Sequence, residues 1–152
     1  MKLIVTGGAG FIGSAFIRLT LRQHPDWRIS NLDKLTYAGN LDNLREVAAN
    51  PNYRFVRADI CDAESVEQVF LDAVPDAVIH FAAESHVDRS ILSPEPVVQT
   101  NIFGTFTLLE AARRAGVGRF LHVSTDEVYG SIPEPHEADE NYPLIASSPY
   151  SC

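Results

Sequence analysis

The sequence has little sulfur: two cysteines and one methionine in 152 residues. Cys61 and Cys152 are too few for a disulfide framework and too few for a cysteine metal cluster, which fits a reducing cytosol. Long apolar runs are missing as well. Ala77-Val78-Ile79 typifies the longest, far below the ~20 residues of a spanning helix. Met1 is followed by one Lys and then by a strand-like run ending in glycines, with no small-residue cleavage site, so no signal peptide is expected. Positive charge is scarce: 12 Lys and Arg against 20 Asp and Glu give a net charge of −8. Such a domain repels phosphate backbones, which argues against a generic nucleic-acid role. A local anion site can still be built from backbone amides rather than from Lys and Arg.

Apolar residues make up 45% and charged residues 21%, enough burial to offset chain entropy and to exclude disorder or a collagen-like chain. The length suits one domain with a real core. Strand and helix signals alternate along it. Lys2 to Thr6 is a short β-branched run, followed by glycines and a helical pattern from Phe11 to about Leu21, with Phe11, Ile12, Ala15, Phe16 and Leu19 at helical spacing. His24-Pro25 ends that helix, and Arg28 to Leu32 is a second strand closed by Asp33. The pattern then recurs: a short helix over Leu41–Ala49 with Leu41, Leu44 and Val47 on one face, a strand over Tyr53–Val56, and a helix opened by Asp62 or Ser65. A fourth strand covers Ala77–Phe81, a long helix runs from Pro94 or Pro96 to about Ala115 with Val97, Ile102, Phe106, Leu109 and Ala112 recurring, and Arg119–Val123 is a fifth strand. Beyond Gly130 the chain is Pro-rich and acidic and reads as an exposed loop. Apolar strands alternating with helices predict an α/β, doubly wound parallel sheet covered on both faces.

Thr6-Gly7-Gly8-Ala9-Gly10-Phe11-Ile12-Gly13 lies between the first strand and the first helix. In that context Gly7 provides a tight turn, Gly10 admits a phosphate close to the backbone, and Gly13 packs the helix on the strand. The helix start then offers amides and a partial positive charge to a pyrophosphate. Asp33 closes the second strand, where an acidic side chain reaches adenosine ribose hydroxyls. A carboxylate there repels a 2′-phosphate and favours NAD, while Lys34 keeps NADP open. Asp59-Ile60 ends the third strand; Asp59 either takes the adenine amino group or caps the next helix, for which Asp62 is the better placed.

The fourth and fifth strands run into polar sequence, Phe81-Ala82-Ala83-Glu84-Ser85-His86 and Ser124-Thr125-Asp126-Glu127. Both stretches fall at the crevice edge of such a fold. Ala82 and Ala83 let a cofactor lie close to the backbone. Asp126 and Glu127 suggest acid–base work, because two carboxylates held together cannot both ionise cheaply and one can serve as acid while the other acts as base. A solvated acidic loop is the plain alternative. Tyr150 is ambiguous by itself. His80, His86, His122 and His136 lack metal spacing, so no metal is assigned, and His80 and His122 are read as strand residues with local hydrogen bonds.

These residues carry a resemblance. Residues 6–13 resemble the extended short-chain dehydrogenase/reductase superfamily, with its Rossmann-like sheet. Within it, Asp33-Lys34-Leu35-Thr36-Tyr37-Ala38-Gly39-Asn40, Ala83-Glu84-Ser85-His86-Val87-Asp88-Arg89-Ser90 and Ser124-Thr125-Asp126-Glu127-Val128-Tyr129-Gly130 closely resemble the dTDP-glucose 4,6-dehydratases, and the match runs from Met1 to Cys152. The Thr-Asp-Glu triplet is the specific part. The resemblance implies an NAD-dependent lyase. Thr125 would bond the glucosyl O4 and Tyr150 would remove its proton while C4 delivers hydride to NAD. Glu127 would then take the C5 proton, Asp126 would protonate the C6 hydroxyl as it leaves as water, and the hydride would return to C6. The product would be dTDP-4-keto-6-deoxyglucose. Ser85 would contact substrate. Phe81 to Ser85 and Thr100 would line the nicotinamide half of the cofactor, with Phe11, Ile12, Lys34, Leu35, Thr36 and Ile60 also among the cofactor-binding residues.

The resemblance also implies a lysine four positions after Tyr150, beyond Cys152, and a nucleotide-sugar domain. Residues 1–152 are therefore expected to be a partial NAD-binding domain with little turnover alone. The long helix would belong to a homodimer interface, doubtful for this stretch by itself. Other readings stay open: an epimerase or decarboxylase of the same superfamily, a non-catalytic dinucleotide-binding fragment, or a purely structural protein.

Overall fold

The computed structural model describes residues 1–152. Five parallel strands form one sheet in the order β3-β2-β1-β4-β5. They are β1 (Lys2–Thr6), β2 (Arg28–Asp33), β3 (Tyr53–Arg57), β4 (Ala77–His80) and β5 (Arg119–His122). The register aligns Thr6 with Leu32 and with His80, so β1, β2 and β4 end at one level. Strand order reverses between β1 and β4, the switch point at which a doubly wound sheet opens a ligand crevice.

Side-chain alternation sorts the core into two layers. Ile4, Leu32 and Val78 face α2 (Ala63–Ala73) and α5 (Thr105–Arg114), where Val66, Phe70, Leu108 and Ala112 complete one buried cluster. Leu3, Val5, Ile29 and Ala77 face α1 (Phe11–Gln23) and a 3₁₀ turn over Leu41–Val47, where Ile17, Leu21, Leu44 and Val47 complete the other. The i, i+3 spacing of Leu41, Leu44 and Val47 suits that tighter helix, although only Leu44 and Val47 are buried. Asp62 caps α2, accepting the amides of Glu64 and Ser65. Coverage of the sheet is not uniform: β5 is an edge strand with Leu121 exposed.

Two helices turn differently from the periodicity. In α1 the buried side is Gly13, Ser14, Ile17, Thr20 and Leu21, while Phe11 is 90% exposed and Ile12 60%. Ser14 goes inward because its hydroxyl is satisfied by the Phe11 carbonyl at 3.1 Å. The long helix is continuous but changes pitch: α4 (Glu95–Val97), a π-helical stretch (Val98–Gly104), then α5. Its inward residues are Val97, Gly104, Leu108, Ala111 and Ala112, whereas Ile102, Phe106 and Leu109 point outward. The helix is apolar on two sides, and spacing alone does not say which one meets the sheet. A short helix, α3 (Val87–Leu92), and a 3₁₀ turn over Asp126–Tyr129 arise in the polar sequence that follows β4 and β5.

His80 is a buried strand residue with a partner on each ring nitrogen: Thr6 Oγ1 at 2.6 Å from Nδ1 and Thr105 Oγ1 at 2.9 Å from Nε2. Burial, and secondarily the nearby His122, pushes its pKa down from 6.5 to about 4. The imidazole is therefore neutral and links β1, β4 and α5. The unfolded chain binds a proton near pH 6.5 that the folded chain refuses until about pH 4, so stability falls as pH drops through that window. Between pH 7 and pH 5 the expected loss from this group is about 2 kcal/mol. Equilibrium urea unfolding of the wild type and of His80→Gln at both pH values checks it; equal pH dependence in the two would contradict this assignment.

Candidate active site and cofactor crevice

The glycine loop is shaped by close backbone crossings. Gly7 has φ +69°, and a Cβ there would lie 2.6 Å from the Ala82 amide nitrogen, so β1 and the segment after β4 touch backbone to backbone. A Cβ on Gly13 would collide with the Gly7 carbonyl oxygen. Gly13 thus packs the helix on the loop itself rather than on the strand. Gly10 is different: φ is negative, and the nearest protein atom to an added Cβ is the Gly7 oxygen at 3.3 Å. Nothing in the protein demands glycine there, which leaves the space for a bound group. Gly10 is also the N-cap of α1 and carries no side chain to cap it, and no acidic residue occupies the first turn. The first amides of α1 are left for an anion.

Asp33 sits beside this loop, 7% exposed. Its Oδ2 accepts the Ala9 amide at 2.9 Å and its Oδ1 the Leu35 amide at 2.8 Å. These bonds hold the carboxylate at the sheet edge with further lone pairs to spare. Lys34 Nζ pairs with Asp59 Oδ2 at 2.6 Å, and Asp59 Oδ1 accepts the Cys61 amide at 3.0 Å. β3 ends at Arg57, so Asp59 belongs to the following loop, and it is not the helix cap.

Around these groups opens a crevice of about 290 Å³ running from the glycine loop to Ser85 and Thr100. Every residue expected at the cofactor lines it except Leu35. Leu35 has a left-handed backbone, φ 59°, and its side chain packs against the α1-side core instead. Sequence reasoning missed Leu32, Ala38, Gly39 and Ala58. The Ala38-Gly39 pair was a usable signal, since Gly39 crosses Asp33 so closely that a Cβ would meet Oδ1 at 3.1 Å. Asn101, on the π-helical stretch, gave no signal. Its Oδ1 accepts the Glu84 amide at 2.8 Å and its Nδ2 donates to the Glu84 carbonyl at 3.0 Å. That clamp fixes the wall formed by residues 81–85.

Thr125, Asp126, Glu127 and Tyr150 lie outside the crevice lining. The turn that carries Thr125, Asp126 and Glu127 follows β5, whose end lies against the end of β4 at the crevice wall: His80 and His122 are register partners and the Val123 amide bonds the His80 carbonyl at 3.1 Å. Thr125 caps the 3₁₀ turn, accepting the Glu127 amide and donating to Asp126 Oδ1, each at 3.3 Å. Successive residues on a 3₁₀ turn diverge by about 120°, which separates an exposed Asp126 from a half-buried Glu127. The Ile145 amide bonds the Val128 carbonyl at 2.9 Å and brings the Pro-rich segment back onto this turn. Ser148 Oγ accepts the Ser151 amide at 3.2 Å and closes a turn over residues 148–151 that contains Tyr150. No group of three His, Cys, Asp or Glu side chains is arranged to hold a metal ion.

Fold and crevice define a Rossmann-like α/β domain with an amide-lined anion site at its switch point. The chain belongs to the GDP-mannose 4,6 dehydratase family, whose model matches residues 4–152. It is 55% identical over 155 residues to a dTDP-glucose 4,6-dehydratase of Streptomyces niveus, covering 99% of this chain and 45% of that protein. Among solved structures it resembles the dTDP-glucose 4,6-dehydratase DesIV of Streptomyces venezuelae, determined with NAD bound, at TM-score 0.92 and 52% identity over 99% of this chain and 47% of that one. A UDP-glucose 4-epimerase of Thermus thermophilus, in complex with NAD, superposes at TM-score 0.90 with 36% identity over 99% and 46%. The chain spans somewhat less than half the length of these relatives.

The two glycines make opposite demands. Gly13→Ala is expected to cost about 1–3 kcal/mol through overpacking against backbone, whereas Gly10→Ala, which only replaces a favourable N-cap residue by a poor one, should cost no more than about 1 kcal/mol. Urea unfolding of both variants checks this; equal losses would show that the loop is not packed as described.

Proposed function

We propose that residues 1–152 are the cofactor-binding part of a dTDP-glucose 4,6-dehydratase that uses NAD. The observation that carries the reading is the placement of Thr125-Asp126-Glu127 on a capped turn at the end of β5, beside the crevice. Fold alone does not separate dehydratases from epimerases, since both superpose closely. The paired carboxylates favour elimination of water, which needs an acid and a base on neighbouring carbons.

The crevice fits a dinucleotide. The uncapped first turn of α1 suits a pyrophosphate and the fixed Asp33 carboxylate suits ribose hydroxyls. A nicotinamide bound there supplies a hydride acceptor and donor. The chain's own groups handle protons and position. Thr125 holds the sugar O4 and Tyr150 removes its proton. Glu127 takes the proton from C5, and Asp126 delivers one to the departing C6 hydroxyl. Ser85, on the clamped wall, contacts the sugar.

No helix of the chain is long and apolar enough to cross a membrane, and both cysteines are free, in keeping with a cytoplasmic enzyme. The outward stripe of Ile102, Phe103, Phe106 and Leu109 supports homodimer formation by the full-length protein. In the full-length protein containing these residues, Asp126→Asn and Glu127→Gln are each expected to slow dehydration of dTDP-glucose by about 10²–10⁴-fold with NAD affinity retained. Product analysis and NAD titration check this. Undiminished dehydration, or epimerised sugar without loss of water, would overturn the reading.

A further inference from the structure

Lys34 is the one cation lining the crevice, against three carboxylates, Asp33, Asp59 and Glu84. It directly follows Asp33, where a basic side chain can accept the 2′-phosphate that distinguishes NADP from NAD. Its Nζ is not free: it lies 2.6 Å from Asp59 Oδ2. Asp59 is itself anchored, with Oδ1 on the Cys61 amide, so the lysine is drawn to the carboxylate rather than the reverse. We propose that Asp59 is a specificity-determining residue, which engages Lys34 and so removes the only cation available to a 2′-phosphate. This rests on the dinucleotide reading above.

The charge states agree with that geometry. Desolvation works to raise the Asp59 pKa, but the Lys34 hydrogen bond and the Cys61 amide outweigh it and leave it below the ordinary carboxylate value. The Asp59 hydrogen bond raises the Lys34 pKa. Both groups are charged throughout the neutral range, and the pair opens only as pH falls below the usual carboxylate range. Two exclusions then act at one end of the crevice: Asp33 repels the phosphate, and Asp59 takes away its counter-charge.

The test is direct titration of NAD and NADP by calorimetry into wild type, Asp59→Asn, Asp59→Ser, Lys34→Ala and Asp59→Asn/Lys34→Ala. Asp59→Asn keeps an acceptor for the Cys61 amide, and Asp59→Ser gives a second variant should the first fold poorly. The ratio of the two dissociation constants is the readout, because losing Asp59 can weaken both ligands together. Release of Lys34 is expected to move the ratio toward NADP by about tenfold, the scale of 1.4 kcal/mol. Lys34→Ala alone should not move it toward NADP, since it leaves Asp59 as a further unpaired carboxylate, and the double variant should return to the wild-type ratio. An unmoved ratio in the Asp59 variants, with NAD still bound, overturns this inference alone. So does a shift that persists in the double variant, since Asp59 would then act without Lys34. Failure of wild type to bind either dinucleotide overturns the dinucleotide reading itself.

Discussion

A buried carboxylate at the end of β2, beside the glycine loop, organises this molecule. Asp33 accepts amides from Ala9 and Leu35, tying the end of β2 to the glycine loop on one side and to the Leu35-Thr36 turn on the other. A carboxylate this enclosed is tolerable only with such donors. Its position decides how far β2 extends, how Leu35 enters its left-handed conformation and where the crevice floor lies. Gly7 and Gly39 are part of the same arrangement, since side chains there would collide with backbone or with Asp33.

Around that point the crevice is built almost wholly from backbone. The helix start at Gly10 has no side-chain cap and no acidic residue in its first turn, so in a domain with net charge −8 the positive end of that helix is left open to the crevice. Its one lysine is neutralised locally. The walls are held from behind: Asn101 clamps Glu84, and His80 bridges Thr6 and Thr105. Polar groups used in this way cost little when every ring nitrogen and amide finds a partner.

The helix faces show where one-dimensional patterns stop. In α1, Phe11 and Ile12 line the crevice and Ala15 and Leu19 meet solvent, only Phe16 of the residues at apparent apolar spacing packs on the core, and Ser14 and Thr20 are buried. The long helix presents Leu108, Ala111 and Ala112 to the sheet and leaves Phe103 and Phe106 outside. Both helices carry apolar residues on two sides. Their apolar content is therefore larger than one core requires, and a spacing argument selects the wrong face as readily as the right one.

Much of the molecule was nonetheless legible from residues alone. Strand positions, the parallel class, the glycine loop, Asp33 at the end of β2 and Asp62 as a cap all follow from local chemistry, because turn geometry, capping and strand propensity act over a few neighbouring residues. What only the tertiary structure decided are relations between distant segments: which helix face meets the sheet, the outward turn of Leu35 from the crevice, the Asn101 clamp and the Lys34–Asp59 pair. Each depends on two chain segments arriving at one place, 17 residues apart for the Asn101 clamp, and no local pattern encodes that meeting.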